Sequence, residues 1–417
     1  MINLEKRYET ASHQKLLDTC YKTNNKLGFS IVDNVCLIPF IQKGKSGGVY
    51  TLEGKLIPET STNKEYGLEV IPNIILENIN NSYDELCIYM GVYEPCWGHF
   101  ITDCLKKMWF LKTKSFEQFK ECSLIFLSEK KDCLGKNHKR LLEVAGVDTS
   151  KIIICNKAAR ARKVLIPDSS FFYDDSSTIH YTKEFIETID SIKEQFKDDH
   201  KKQYEKIYYS YSSYQKKKGY KKTFGEEKLD IFFKDMGFLI VHPECHSLDE
   251  QMEMLANCKC FASTEGSSSH NSIFLKDGAE VIIIPRGPYF SGYQQTIDSI
   301  GELNIHYIDS SLTAFPSKSG PWSGPNYFYV SDELMDYFHL SNKQKQQYIK
   351  KNFKDLKKYV AYNFVNLSGR HYYIQNIYAE KFFYYLGLNS KKVFPGMYLK
   401  MKISNFFEKI KRGKTHG

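Results

Sequence analysis

Short apolar runs alternate with amphipathic stretches along most of the chain. From about residue 30 to 170 the runs NVCLIPF, LEVIP, ELCIYMG, SLIFLS and KIIIC have strand length. Between them, HFITDCLKKMWFLK and HKRLLEVAG repeat apolar residues at helical spacing. Strands alternating with helices predict βαβ units and a mainly parallel sheet. The charged stretch TKEFIETIDSIKEQFKDDHKKQYEK reads as a connecting helix. The alternation then resumes with IYYSY, EEKLDIFFKDMGF, LIVHP, SLDEQMEMLANC, KCFAST, HNSIFLKDG, EVIIIP and NIHYID, and from about Asp332 the pattern is helical. The predicted fold class is therefore α/β, with one α/β domain and its connecting helix over 1–200, a second α/β domain over 201–320, and a helical segment over 321–417. Two such units leave a cleft between the carboxyl ends of two sheets, where open α/β sheets bind ligands.

The stretch TEGSSSHNSIF follows a strand of the second unit and opens what reads as a brief helix. Unpaired amides at a helix start carry partial positive charge, and small residues let an anion approach them closely. Gly266, Ser267, Ser268, Ser269, His270 and Asn271 are thus candidates for holding a phosphate or diphosphate. Serine-rich helix caps use the same residues without any ligand, and the stretch alone does not separate the two readings. Glu265 would repel a phosphate, so its expected place is beside the anion, accepting from a ribose or sugar hydroxyl. Ser210, at another strand end, and Lys216, Lys221 and Lys222 in the run that follows it add hydroxyl and charge, as does Arg286 just past EVIIIP. A solvated lysine face is the commoner explanation of such a run.

In the first unit, EPCWGHFITDCLKK sets His99 and Asp103 four residues apart. On a helix both share one face, opposite Ile101, Leu105 and Met108, and either could take a proton from an alcohol. The competing account is a surface Asp103–Lys107 ion pair beside a packed histidine.

The net charge of +9 is concentrated in segments such as SSYQKKKGYKK and KIKRGK, which suits an anionic ligand or membrane surface better than a nucleic-acid coat. No nucleic-acid-binding module surrounds the lysines, so no nucleic acid is expected as a partner. The eleven cysteines form no CxxC pair and no zinc spacing, as expected of reduced thiols in a cytosolic protein. The charged N-terminus lacks a secretory apolar core, and no run approaches the roughly 18 residues of a membrane span. The protein is therefore expected to stay in the cytoplasm.

The succession from IYYS through GEEKLDIFFKDMGFLIVHPECHSLDEQ to STEGSSSHNSIF, with WGHFITDCLKKMWFL upstream, resembles glycosyltransferase family 61 over roughly residues 90 to 290. The shared features are a strand ending in Ser, an acidic pair opening a helix, a GF…V.PE..SL.EQ stretch, a G-S-S-x-H-N loop and an upstream GHF..D motif. Where many members carry Arg after the strand-ending Ser, this chain has Tyr211 and then lysines. Lysine supplies charge but no bidentate fork.

The resemblance implies two Rossmann-like domains facing a cleft in a GT-B-like arrangement, an inverting mechanism, a nucleotide-sugar donor on the C-terminal domain, an acceptor on the N-terminal one, and no essential metal. Under it Asp103 is the first choice of base and His99 the alternative. The expected function is transfer of a sugar to a hydroxyl of a growing surface glycan, free or lipid-linked, of capsule or lipopolysaccharide type. A non-catalytic glycan-binding scaffold and a phosphate-ester-processing enzyme are the alternatives. Over residues 397–417, Leu399, Ile403, Phe406, Phe407 and Ile410 form an apolar stripe flanked by lysines. Such a helix either lies on an anionic membrane or docks on the N-terminal domain.

Overall fold

The computed structural model describes residues 20–39, 47–61, 76–128, 132–173, 178–197, 204–213, 223–286, 292–312, 326–348, 355–356 and 359. The run LEVIP, the lysines 216, 221 and 222, and the segment 397–417 lie outside them.

The N-terminal half supplies β1 (Cys20–Thr23), β2 (Phe29–Ile38), β3 (Gly48–Thr51), β4 (Asn81–Tyr83), β5 (Cys87–Val92), β6 (Ser123–Leu127), β7 (Ile152–Cys155), β8 (Ala159–Pro167), β9 (Phe171–Tyr173) and β10 (Ile179–Thr182). The C-terminal half supplies β11 (Tyr204–Tyr209), β12 (Thr223–Phe224), β13 (Leu239–Val241), β14 (Cys258–Thr264), β15 (Glu280–Ile284), β16 (Asn304–Tyr307), β17 (Ser311–Leu312) and β18 (Asn326–Phe328). The result is a mixed α/β fold of several sheets, with no barrel among the described residues.

The first large sheet has the order β3-β2-β8-β5-β6-β7, with β4 also on β8. Its β8, β5, β6 and β7 pair in parallel one after the next, as the alternation predicts, and β4 pairs in parallel with β8. It is nonetheless a mixed sheet, because the ten-residue β2 runs antiparallel to both β3 and β8. The second sheet, β13-β11-β14-β15-β16, is parallel throughout. Numbered within itself its order is 2-1-3-4-5, which reverses between β11 and β14 and opens a crevice at their carboxyl ends.

Strand alternation distributes the core. Ile207, Tyr209, Phe261, Val281 and Ile283 point to one side of the second sheet and join Ile88, Phe126 and Leu165 of the first sheet in a single contiguous cluster. Tyr208, Cys260, Ala262, Ile282 and Ile284 point to the other side, against Leu229, Phe232 and Phe233 of helix Glu226–Asp235 and Leu334 and Met335 of helix Asp332–Tyr337. Strands buried on both faces must be apolar at every position, which is why these runs are so legible. Each fully buried Ile, Leu or Phe contributes about 1.5–3 kcal/mol by leaving water. The shared cluster thus ties the two halves together. Among the described residues no helix is long and apolar enough to cross a membrane, and the cysteines from Cys36 to Cys260 are free.

Candidate active site

The segment 97–112 is not the continuous α-helix that its spacing predicts. A single helical turn, Trp97–His99, passes into a π-turn, Phe100–Cys104, and then a 3-10 turn, Met108–Lys112. Phe100, Ile101, Thr102 and Cys104 are all buried, so four of five successive side chains face inward, and the wider π-turn accommodates them. Asp103 is the one that remains partly open. His99 Nδ1 lies 3.2 Å from Asp103 Oδ2, with 41% and 24% of their side chains exposed.

The surface Asp103–Lys107 pair does not form. Lys107 turns fully inward, donates to the Pro167 carbonyl and lies 5.7 Å from the centre of the Tyr89 ring. Burial, with Lys106 adding to it, pulls its amine down to about 7, against the attraction of Asp168 and Glu59. Asp103, Lys106 and Lys107 line one wall of a cavity of about 20 Å³, room for roughly one water.

Across the crevice, β14 ends at Thr264 and the chain turns through Glu265–Ser268 into a six-residue 3-10 helix, Ser269–Phe274. The brief helix predicted here is thus one of tighter pitch. Gly266 has φ +141°, and a Cβ on it would lie 3.4 Å from the Arg286 guanidinium. Its amide donates to Ser269 Oγ at 3.1 Å, and Asn271 Nδ2 donates to the Ser268 carbonyl at 3.0 Å. Ser269, His270 and Asn271 are buried, whereas Gly266, Ser267 and Ser268 are half-buried and form the accessible edge of the loop. Glu265 is fully buried, and its carboxylate accepts from the Arg286 amide at 3.3 Å.

Arg286 reaches over the loop from the end of β15. Its Nη2 donates to Thr264 Oγ1 at 3.2 Å, and its guanidinium lies 5.0 Å from the centre of the Tyr211 ring. Tyr211 follows Ser210 at the end of β11, so both sides of the strand-order reversal contribute to one wall. Ser210 is buried, donating to Ser212 Oγ at 3.0 Å, which in turn donates to Asp230 Oδ2 at 2.7 Å. The Tyr211 amide donates to Glu226 Oε1 at 3.2 Å. Burial raises Glu226 to about 7 despite the opposing charge of Arg286.

A buried network fixes the loop from beneath. Ser269 Oγ donates to Gln294 Oε1, and Gln294 Nε2 donates to Asp298 Oδ1 at 2.8 Å and to Ser272 Oγ at 3.4 Å. Tyr307 donates to the other oxygen of Asp298. Burial raises Asp298 to about 7, with the Tyr307 and Gln294 bonds opposing it.

The turn and the loop meet. Cys96 Sγ is 3.4 Å from Ser267 Oγ, and Trp97 Nε1 donates to Asn271 Oδ1 at 3.0 Å. The His270 ring fills the space where a Gly98 side chain would be: a Cβ there would come within 2.4 Å of Nδ1. That Nδ1 is buried without a hydrogen-bond partner, and burial pulls the ring down to about 4, the Gly98 backbone working against the shift. At neutral pH the ring is therefore uncharged. Tyr293, from helix Gly292–Ile300, meets the His99 ring at 4.6 Å and 81° and lies 6.5 Å from that of His270.

Of the sequence candidates, His99, Asp103, the loop residues and Arg286 gather at this one place, while Ser210 lies behind it in a hydroxyl–carboxylate chain. Trp97, Tyr293, Gln294 and Asp298 carry no motif that marks them in advance. A larger cavity, about 440 Å³, opens at the other, amino-terminal edge of the second sheet beside Tyr204, Leu239 and Asn257, and takes no part in this arrangement.

A family model described as Glycosyltransferase 61 matches residues 97–282. The match starts at Trp97 and stops within β15, enclosing both the turn and the loop but not Arg286 or Tyr293. Comparison with curated proteins finds no match.

Proposed function

We propose that this chain, whose residues 97–282 match the Glycosyltransferase 61 family model, is a glycosyltransferase that transfers a sugar with inversion from a nucleotide-sugar donor to a glycan hydroxyl. The observation that carries this reading is the direct contact between the turn bearing His99 and Asp103 and the loop Gly266–Asn271. An inverting displacement needs a base on one side of the anomeric carbon and a charge-stabilised leaving group on the other.

The diphosphate lies along the half-buried edge Gly266–Ser268, with Arg286 as its cation. A guanidinium fits two phosphate oxygens at once, which the absent family arginine would otherwise do. Asp103, oriented by His99, takes the proton of the acceptor hydroxyl. The acceptor oxygen bonds to the anomeric carbon as the bond to the diphosphate oxygen breaks, and the departing electron pair becomes negative charge on the diphosphate. The Arg286 guanidinium and the loop stabilise that charge, and the uncharged His270 ring shapes the loop's inner wall. No step in this scheme calls on a metal ion.

The donor-binding unit is then the parallel sheet β13-β11-β14-β15-β16 and the acceptor side is the N-terminal unit, in the GT-B manner. A surface glycan of capsule or lipopolysaccharide type, made at the cytoplasmic face of a membrane, is the acceptor that the basic C-terminal segment best suits.

Thermal-shift titration with UDP, GDP, dTDP and CDP tests the donor side. A nucleoside diphosphate at a hundred times its dissociation constant should add about 2.7 kcal/mol of stability. Gly266→Val, which forces a side chain against the Arg286 guanidinium, should lose most of that shift. Stabilisation by none of the four, or an undiminished shift in a folded Gly266→Val protein, contradicts the assignment.

A further inference from the structure

Tyr293 stands beside both halves of the site without belonging to either. Its ring stands nearly perpendicular to that of His99, 4.6 Å away at 81°, and 6.5 Å from His270 at 34°. One histidine belongs to the turn that carries Asp103 and the other to the donor loop. The ring is half-buried, so part of its surface remains open.

Its position is well determined by its neighbours. The next residue, Gln294, is fully buried and bonded to Ser269, Ser272 and Asp298, which locks the start of helix Gly292–Ile300 to the loop. A rotation of that helix would break the bonds of Gln294 to Ser269 and Ser272 and the bond of Tyr307 to Asp298, each costly to leave unmade.

In an inverting displacement the acceptor oxygen, the anomeric carbon and the leaving oxygen lie in line. On the assignment above the sugar ring lies between the Asp103 turn and the Gly266–Ser268 edge, beside the His99 and His270 rings that Tyr293 meets. An aromatic ring suits that space for two reasons. Its apolar body matches the C–H face of a pyranose. Its negative face also attracts positive charge, and glycosyl transfer places such charge on the anomeric carbon in an oxocarbenium-like transition state.

We propose that Tyr293 is the platform for the transferred sugar, its ring packing against the pyranose as the anomeric bond breaks. This rests on the donor and base assignment above. It adds a residue beyond the matched family region, from a helix that neither the loop nor the base motif includes. The bond changes are those of the displacement already written: Tyr293 exchanges no proton and forms no covalent bond. Its contribution grows as charge develops, so it acts on turnover more than on nucleotide affinity.

The experiment compares the full-length wild type with Tyr293→Phe, Tyr293→Leu and Tyr293→Met. Release of nucleoside diphosphate from UDP-, GDP- and dTDP-hexoses is measured alongside calorimetric affinity for the matching free nucleoside diphosphate. Tyr293→Leu should slow release by about tenfold or more, the worth of a desolvated cation–π contact. Affinity for the free nucleoside diphosphate should stay within about twofold, and Tyr293→Phe should keep most of the rate because it keeps the ring. Tyr293→Met fills similar space without a ring, so it makes the same test if the leucine variant does not fold. Wild-type release by the leucine or methionine variant, or a loss matched by an equal loss of nucleoside diphosphate affinity, overturns the platform and leaves the donor and base assignment standing. A wild type that binds no nucleoside diphosphate and processes none of the three conjugates removes both.

Discussion

Adding one methyl group at Gly98 should uncouple the two halves of the site. The Cβ of Gly98→Ala would lie 2.4 Å from His270 Nδ1, 2.8 Å from Cε1 and 3.4 Å from Cγ, so the new group meets the ring itself. Ordinary contact between such atoms is about 3.5–4.0 Å, leaving roughly 1 Å to be made up by movement. His270 cannot readily supply it, because it is 6% exposed and carried by a loop anchored through Ser269, Asn271 and Ser272. The turn must therefore move, carrying His99 and Asp103 away from the loop. Overpacking of this kind costs about 1–3 kcal/mol. A displacement of about 1 Å in a reacting group costs on the order of a hundredfold in rate. Nucleoside diphosphate release from a nucleotide sugar, measured beside thermal melting, reads both effects. A Gly98→Ala protein with wild-type melting and wild-type turnover would refute the claim that this contact sets the distance between base and donor loop.

Three further perturbations test separate parts of the account. Arg286→Lys keeps the charge but loses the flat guanidinium that lies on Tyr211, so nucleoside diphosphate affinity should fall about tenfold, the loss of one charge-assisted hydrogen bond; unchanged affinity by calorimetry would remove Arg286 from the anion site. His270 is held near 4 against an ordinary 6.5, so between those values the unfolded chain binds a proton that the folded chain does not, and stability falls as acid is added. From pH 7 to pH 4 the wild type should lose up to about 3 kcal/mol more than His270→Gln in denaturant unfolding, and a pH-independent difference would show that the ring is not buried in its neutral form. Gly225 opens helix Glu226–Asp235 at φ +85°, and a Cβ there would lie 1.8 Å from the Phe328 carbonyl oxygen. Gly225→Ala should therefore cost more than about 2 kcal/mol, by left-handed strain and by unseating β18, and a wild-type melting temperature would contradict that packing.

How much of this was legible depends on what each residue's surroundings demand. The strands of the second sheet announce themselves because both their faces are buried, and the helices Lys136–Val144, Lys183–Glu194 and Leu248–Ala256 follow from their spacing. The central strand β8 escapes, although it pairs with β2, β4 and β5. Arg160, Arg162 and Lys163 point outward and break the run before the buried Val164–Pro167, so ARARKVLIP does not read as an apolar segment. Likewise the apolar positions of 97–112 satisfy helical periodicity well enough to hide the π-turn. Lys107 reads as surface because lysine usually is, and only the Pro167 carbonyl and the Tyr89 ring explain its burial. The loop Gly266–Asn271 and the His99–Asp103 spacing were visible as local patterns. Their meeting through Gly98 and His270, and the part of Tyr293 between them, depend on how two distant segments pack, which no local pattern encodes.

The central claim is that Asp103 is the base acting opposite a diphosphate held by the Gly266 loop. Asp103→Asn preserves the shape of the side chain and removes its basic oxygen, and His99→Ala tests the partner that orients it. Transfer and nucleoside diphosphate affinity should be measured on both variants with the same nucleotide sugar. The account predicts that Asp103→Asn lowers transfer by at least about a hundredfold while nucleoside diphosphate affinity stays unchanged, with a smaller loss for His99→Ala. Normal transfer by Asp103→Asn with a large loss in His99→Ala would hand the role to the histidine, and normal transfer by both would contradict the account.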